Sequence, residues 1–246
     1  MSKHSTDGLP RHEVPAAFDT AAAGYDRLVG INPGYHRQLR KSASRLQLPN
    51  RGAGMRLLDV GCGTGASTKA LLRAAPEAEI TAVDASGEML EQARRKAFPP
   101  SVRFVHARVE DLEAAGVDGP FDAILAAYLI RNLATPDVEL RRLFELLRPG
   151  GRLAVHEYSV SESARARLVW DAVAWSVIIP TGRIVTGTSE LYRHLWQSVR
   201  SFDGVTAFER RLADAGFTEV RTAGMTGWQR GIAHTFLAAR PVPADG

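Results

Sequence analysis

The chain has one cysteine, Cys62, among 246 residues. A lone thiol forms no internal disulfide and supplies no multi-cysteine metal site; no metal ligands are expected elsewhere. Long apolar runs are missing too. The longest clean stretch, Ala123 to Ile130, has eight residues, against the roughly 18 that a spanning helix needs. The opening Met1-Ser2-Lys3-His4-Ser5 lacks the apolar core of a secretory signal. Charge is nearly balanced, with 31 basic and 27 acidic residues for a net +4. Without a concentrated basic track, nucleic acid is not an expected partner. Repeats and low-complexity segments are absent. What is present is ordinary: 45% apolar and 24% charged residues, which excludes a disordered or collagen-like chain. The expectation is a soluble, cytoplasmic protein with one domain and one large core, without an integral membrane segment.

Strand and helix signals alternate along most of the chain. Residues 1–13 read as a flexible tail around Gly8-Leu9-Pro10. Residues 14–50 read as a helical cap broken at Asn32-Pro33-Gly34. Strands are expected at Arg56–Val60, Ile80–Val83, Val102–His106, Phe121–Ala126 and Arg152–Glu157. Helices are expected at Ala66–Ala74, from an N-cap at Ser86 to about Lys96, and at Asp137–Leu147, the last stopped by Pro149-Gly150-Gly151. Such βα alternation with short connections predicts an α/β fold with a doubly wound parallel sheet. A helical insert fills 160–200: a helix over Ser161–Ile179, a loop at Pro180 and Gly182, and a helix over Ser189–Val199. A helix at Val205–Ala215 and strands near Phe217–Thr222 and Ile232–Ala238 complete one domain over 14–240. Residues 241–246 form a second tail.

The turn after the first strand, Asp59-Val60-Gly61-Cys62-Gly63-Thr64-Gly65, is where such a sheet takes a nucleotide-like ligand. Asp84 ends the second strand, where a carboxylate can accept hydrogen bonds from two ribose hydroxyls. Gly61, Gly63 and Ala66 satisfy the dinucleotide pattern formally. Asp59 argues against that reading, because it adds negative charge where a pyrophosphate would sit. S-adenosylmethionine brings a cationic sulfonium and ammonium instead, which a carboxylate favours.

Leu57 to Gly65, Ala82-Val83-Asp84-Ala85-Ser86 and Leu147-Arg148-Pro149-Gly150-Gly151 resemble class I S-adenosylmethionine-dependent methyltransferases. Phe18 to Tyr25-Asp26, Leu129-Ile130-Arg131-Asn132-Leu133, His156-Glu157-Tyr158-Ser159 and the Tyr192–Val199 helix are similar to segments of the ubiquinone/menaquinone biosynthesis C-methyltransferases. The likeness covers about residues 14–240. It implies a Rossmann-like seven-stranded sheet and a donor site of Asp59, Gly61, Gly63, Thr64, Gly65, Thr68, Asp84, Ala85, Val109, Glu110 and Ala126. Departures from that pattern are Ala66 for aspartate, Leu129 for glycine, and Arg108 where an acid or amide faces the adenine. Either Glu110 or Asp111, or the backbone at Val109, then takes the adenine contact.

The resemblance implies methyl transfer to a small lipophilic aromatic acceptor, foremost the ring carbon of a demethylmenaquinol-like prenylated quinol. An O-, N- or C-methyltransferase of another metabolite and a non-catalytic donor-binding protein stand as alternatives. Arg131, Asn132 and Tyr25 are implied at the acceptor hydroxyl, with Arg131 as the cation opposite a phenolate, since guanidinium stays protonated. His156 and His194 are candidate proton acceptors. Tyr128, Tyr192 and Trp196 are expected against the substrate. Arg165 and Arg167 beside an apolar helix face suit a peripheral membrane contact, and a homodimer is compatible with the family.

Overall fold

The protein is described here by a computed structural model covering residues 9–32, 34–187 and 189–243. The expected tails lie partly outside these residues, as does Pro33 in the expected helix break. Within them Arg11–Glu13 form a single 3-10 turn rather than loose chain.

Seven strands form one sheet in the order β3-β2-β1-β4-β5-β7-β6. They are β1 (Arg56–Val60), β2 (Glu79–Asp84), β3 (Val102–His106), β4 (Phe121–Ala127), β5 (Leu147–Tyr158), β6 (Thr218–Gly224) and β7 (Ala233–Ala239). The first five run parallel, and β7 is antiparallel to both its neighbours. Strand β1 is apolar on both faces, as a central parallel strand covered by helices must be. Leu57 packs with Leu39, Leu46 and Leu71 on one side. Leu58 and Val60 pack with Leu140, Leu143 and Phe208 on the other. The helices behind these contacts are α2 (Tyr35–Ser44) and α3 (Ala66–Ala74) on the first face, and α5 (Pro136–Leu146) and α9 (Val205–Asp214) on the second. Helix α4 (Gly87–Arg94) follows β2, N-capped by the Ser86 hydroxyl, which accepts from the Met89 amide at 3.1 Å.

The order reverses between β1 and β4, which opens a crevice at their carboxyl ends. Helix α1 (Val14–Ile31) lies over that crevice against α4. The insert closes it as α6 (Ala164–Val173), a π-helical turn (Ala174–Ile178), α7 (Ile179–Thr186) and α8 (Glu190–Ser201).

Two boundaries differ from expectation. Pro149-Gly150-Gly151 lies inside β5, where Gly150 and Gly151 exchange backbone hydrogen bonds with Arg240 at 2.9 Å; α5 ends at Leu146. Pro180 and Gly182 lie inside α7, not in a loop. The π turn just before Pro180 has already shifted the hydrogen-bond register, so the missing N–H breaks nothing. Gly182 is there for space: a Cβ on it would sit 2.2 Å from the buried Tyr192 ring.

The helical run Ala164–Thr186, 23 residues with mean hydropathy 1.4, is long and apolar enough on average to cross a membrane, although no uninterrupted apolar run is. In the fold it packs against α1 and α8, and 22% of its most apolar stretch is buried.

Candidate active site

The turn from β1 to α3 is tied to β2. Gly61 and Cys62 both donate to the Val83 carbonyl, at 2.8 and 2.9 Å. Gly63 donates to Asp84 Oδ2 at 2.7 Å, and Ser86 donates to Asp84 Oδ1 at 2.9 Å. Gly63 has a positive φ of 53°, and a Cβ there would meet nothing within 4 Å, so its face is open for a ligand. Burial pushes the Asp84 carboxyl up, and the two amides pull it back. A carboxylate has about four lone-pair sites, and two remain for ligand hydroxyls.

Asp59 plays a different part from the one expected. It is fully buried behind the turn, where its Oδ2 accepts from Ser67 and Thr68 hydroxyls at 2.8 and 2.7 Å. Desolvation raises its pKa to about 7. It shapes the start of α3 and does not line the crevice.

Helix α1 reaches down to the same turn. Asp26 accepts from the Thr64 hydroxyl at 2.5 Å and pairs with Lys96 at 2.5 Å. Asp19 accepts from the Ser86 hydroxyl at 2.5 Å. The sequence gives no spacing signal for either contact, since the partners lie far apart in the chain.

The crevice and its extension to the insert form one chamber of about 530 Å³, within the range of small-molecule sites. At mid-wall Arg131 and Glu157 form a buried ion pair at 2.5 Å, with side-chain exposures of 5% and 0%. Arg131 Nε also donates to Ser198 Oγ at 3.3 Å. Its guanidinium lies 5.7 Å from the Tyr128 ring centroid and 6.0 Å from that of Tyr158. Tyr128, at the end of β4, has a φ of +57°, unusual for a bulky residue. Backbone bonds hold it there: its amide donates to the His156 carbonyl at 2.8 Å, and its carbonyl accepts from Asn132 Nδ2 at 3.1 Å. Asn132 Oδ1 in turn faces His194 Nε2 at 3.2 Å. Burial, with Arg131 nearby, lowers the His194 pKa to about 4.

Of the expected residues, Tyr25, Gly61, Gly63, Thr64, Asp84, Ala85, Val109, Glu110, Tyr128, Arg131, Asn132 and Tyr192 line one chamber. Asp59, Gly65, Thr68, Ala126, His156 and Trp196 do not line it. A Cβ on Gly65 would come 2.9 Å from Phe98, so this glycine serves packing. Ala126 is wholly inside the sheet core. Trp196 turns into the insert, donating to Asp171 at 2.7 Å. His156 sits behind Tyr128, contacting its phenol at 2.9 Å through Nε2 and Ser42 Oγ at 3.0 Å through Nδ1. Burial drops its pKa to about 3. A neutral ring engaged at both nitrogens supports Tyr128 and does not reach the acceptor. Of the adenine candidates, Val109 and Glu110 line the chamber and Asp111 does not. Sequence reasoning missed Asp19, Asp26 and Glu157 as site residues.

A pyrophosphate at this turn would meet Asp84, with Asp19 and Asp26 closing over the same loop. A sulfonium donor meets favourable charge there, and the open Gly63 face and the free lone pairs of Asp84 fit its nucleoside. The class defined by this fold and site is the class I S-adenosylmethionine-dependent methyltransferases. The model of the ubiE/COQ5 methyltransferase family matches residues 7–239, and the chain belongs to that family. It is 34% identical over 221 residues to a ubiquinone/menaquinone biosynthesis C-methyltransferase UbiE of Bradyrhizobium diazoefficiens, covering 87% of each chain. To a demethylmenaquinone methyltransferase of Clavibacter sepedonicus it is 33% identical over 238 residues, covering 94% of this chain and 95% of that one. Magnesium protoporphyrin IX methyltransferase of Synechocystis, solved with bound S-adenosylhomocysteine, superposes with a TM-score of 0.66 at 18% identity, covering 94% of this chain and 100% of that one. The [4+2]-cyclase SpnF gives 0.68 at 19% identity, over 96% and 99% of the two chains. Likeness at that level is likeness of fold, not of reaction.

Proposed function

We propose that the protein methylates a ring carbon of a prenylated quinol of the demethylmenaquinol kind. The observation that carries this reading is the change of character along one chamber. Its donor end is polar, at Gly63, Thr64 and Asp84. Its middle holds Arg131, Asn132, Tyr25 and Tyr128. The insert adds the apolar Val173, Val177, Ile178 and Leu191 to the lining, beside Thr181, Tyr192 and His194. A quinol ring with an apolar tail has the same order of chemistry. The names of the related methyltransferases add support.

When bound, S-adenosylmethionine supplies an electrophilic methyl group on sulfur. The chain's own residues align the acceptor and keep water out. Arg131 retains N–H groups beyond those given to Glu157 and Ser198. These can donate to an acceptor hydroxyl oxygen as it loses its proton, when the ring carbon becomes nucleophilic. Tyr25 stays protonated, because burial raises its pKa to about 12, and so it acts as a hydrogen-bonding group. The hydroxyl proton leaves to water; His194 lines the chamber, but with its pKa down to about 4 it holds no proton near neutrality.

Leu129 favours a second reading. It lines the junction between donor turn and acceptor wall, 3.2 Å from where a Cβ on Gly61 would lie. A leucine there narrows the junction and suits a smaller phenol methylated on oxygen. Mass spectrometry after incubation with S-adenosylmethionine and demethylmenaquinol separates the two. A gain of one methylene unit on the ring carries the first reading. An unchanged quinol, with a methylated small phenol, carries the second.

The finer view of location is a cytoplasmic enzyme that touches a membrane through its insert. The support is that the insert exposes four large apolar side chains, Leu168, Trp175, Val177 and Ile184. Val177 also lines the chamber, so the exposed apolar side chains and the apolar lining of the site share a residue.

A further inference from the structure

Glu157 stands at the end of β5, behind the chamber wall, and no motif reading assigned it a task. Its Oε1 accepts from Arg131 Nη1 at 2.5 Å and from the Tyr158 amide at 3.0 Å. Its Oε2 is buried and has no hydrogen-bond partner. Arg131 does line the chamber, so whatever Glu157 does to it is felt by the acceptor.

Glu157 is the carboxylate paired with Arg131; besides Arg131, the charged residues lining the chamber are Arg11, which reaches the Leu133 carbonyl, Arg108, Asp84, Glu110 and Glu139, which pairs with Arg142. Around Arg131, from α8 come the neutral Ser198 hydroxyl and His194, from β4 and β5 the Tyr128 and Tyr158 rings, and from α1 Tyr25. His194, with its pKa down to about 4, and Tyr25, with its pKa up to about 12, are uncharged near neutrality. His156 behind them is uncharged as well. Burial pushes the Glu157 carboxyl up while Arg131 pulls it back. A neutral Glu157 would leave a buried guanidinium uncompensated, so the ionised pair is the resting state.

We propose that Glu157 sets the charge the acceptor must carry: by cancelling Arg131 inside a dry wall, it makes the chamber take an uncharged phenol or quinol and turn away an aromatic that already bears a carboxylate. This rests on the chamber being the acceptor site. A lone buried guanidinium would draw in any anion. Paired at 2.5 Å, it presents a dipole whose field falls off faster and whose negative end includes an oxygen with no donor of its own. An anion placed before Arg131 would then share one guanidinium with a second carboxylate. A neutral hydroxyl suffers no such conflict. It accepts from the remaining guanidinium N–H groups and ionises only in place. Glu157 thus acts through Arg131 as a positioning and specificity residue, not as a catalytic one.

The test uses the full-length enzyme, S-adenosylmethionine, and a naphthalenediol with and without a ring carboxylate. Wild type is expected to prefer the uncharged diol by about a hundredfold in kcat/KM. Glu157→Gln keeps the side chain's shape and an oxygen for Arg131 but removes the charge. It is expected to narrow that preference by about tenfold or more. It should also move the limb of kcat that rises with acceptor ionisation to lower pH, since an uncompensated cation lowers the pKa of a hydroxyl beside it. Affinity for S-adenosylhomocysteine should stay within about twofold, because the donor end is untouched. A variant that slows both acceptors equally, with an unmoved pH profile, would overturn the proposal. If the variant does not fold, calorimetry on wild type decides: equal affinity for the two probes overturns it, and weak binding of the carboxylate alone upholds it. Wild type that methylates neither probe would count against the quinol reading, while the same binding comparison would still judge Glu157.

Discussion

Asp59 is fully buried and carries a pKa of about 7, against an ordinary value of 3.8, because desolvation outweighs the Ser67 and Thr68 hydrogen bonds. A folded-state pKa above the unfolded one means that the folded state holds its proton longer. The stability this group contributes is therefore full below about pH 4 and lost as pH rises through about 7. Asp59→Asn cannot ionise, and its amide oxygen can still accept from both hydroxyls. Relative to wild type, its urea midpoint should improve steadily from about pH 5 to about pH 8. A difference that stays constant across that range would show that Asp59 does not titrate there. Donor affinity should change little, because Asp59 does not face the crevice. The place of Gly61, Gly63 and Asp84 at the turn was legible in the sequence because it follows from backbone shape and a strand end, both local properties. Asp19, Asp26 and Glu157 were not. Each is an ordinary acidic residue whose meaning comes from a partner distant in sequence: Ser86, Thr64 and Arg131.

Helix α7 places Gly182 against the Tyr192 ring, where a Cβ would intrude to 2.2 Å. Tyr192 is only 2% exposed and has little room to retreat. Gly182→Ala should destabilise the insert by about 1–3 kcal/mol, read as a lower thermal midpoint. It should also impair acceptor turnover while leaving S-adenosylhomocysteine affinity near wild type. Equal loss of donor affinity would mean that α7 supports the whole crevice. The same helix shows where sequence patterns stop. The strands of the sheet follow hydrophobic runs and turn residues, so their positions were readable to within a few residues. Only β5 was misjudged at its start, because its Pro149-Gly150-Gly151 segment resembles a stop signal. In the insert, Pro180 and Gly182 carry the usual marks of a loop. A π turn and a close tyrosine, both tertiary facts, make them helical instead.

At the scale of the molecule, the insert exposes Leu168 (71%) and Ile184 (84%), together with Trp175 and Val177. Arg165 and Arg183 are exposed near its two ends. Exposed apolar side chains flanked by arginines suit an anionic bilayer surface. The protein should float with vesicles containing anionic phospholipid at low salt and release as salt screens the arginines. Trp175→Ser with Ile184→Ser should abolish flotation and spare turnover of a short-tailed, water-soluble acceptor. Wild type that stays at the bottom of the gradient at low salt would remove the membrane contact. Asp19 and Asp26 tie α1 to the donor turn, and the same helix packs against α7 of the insert, where a Cβ on Gly24 would lie 3.2 Å from Val185. One helix therefore holds both ends of the chamber, so any loosening of α1 that frees the donor also unsettles the helix over the acceptor, and the two ligands are coupled through a single brace.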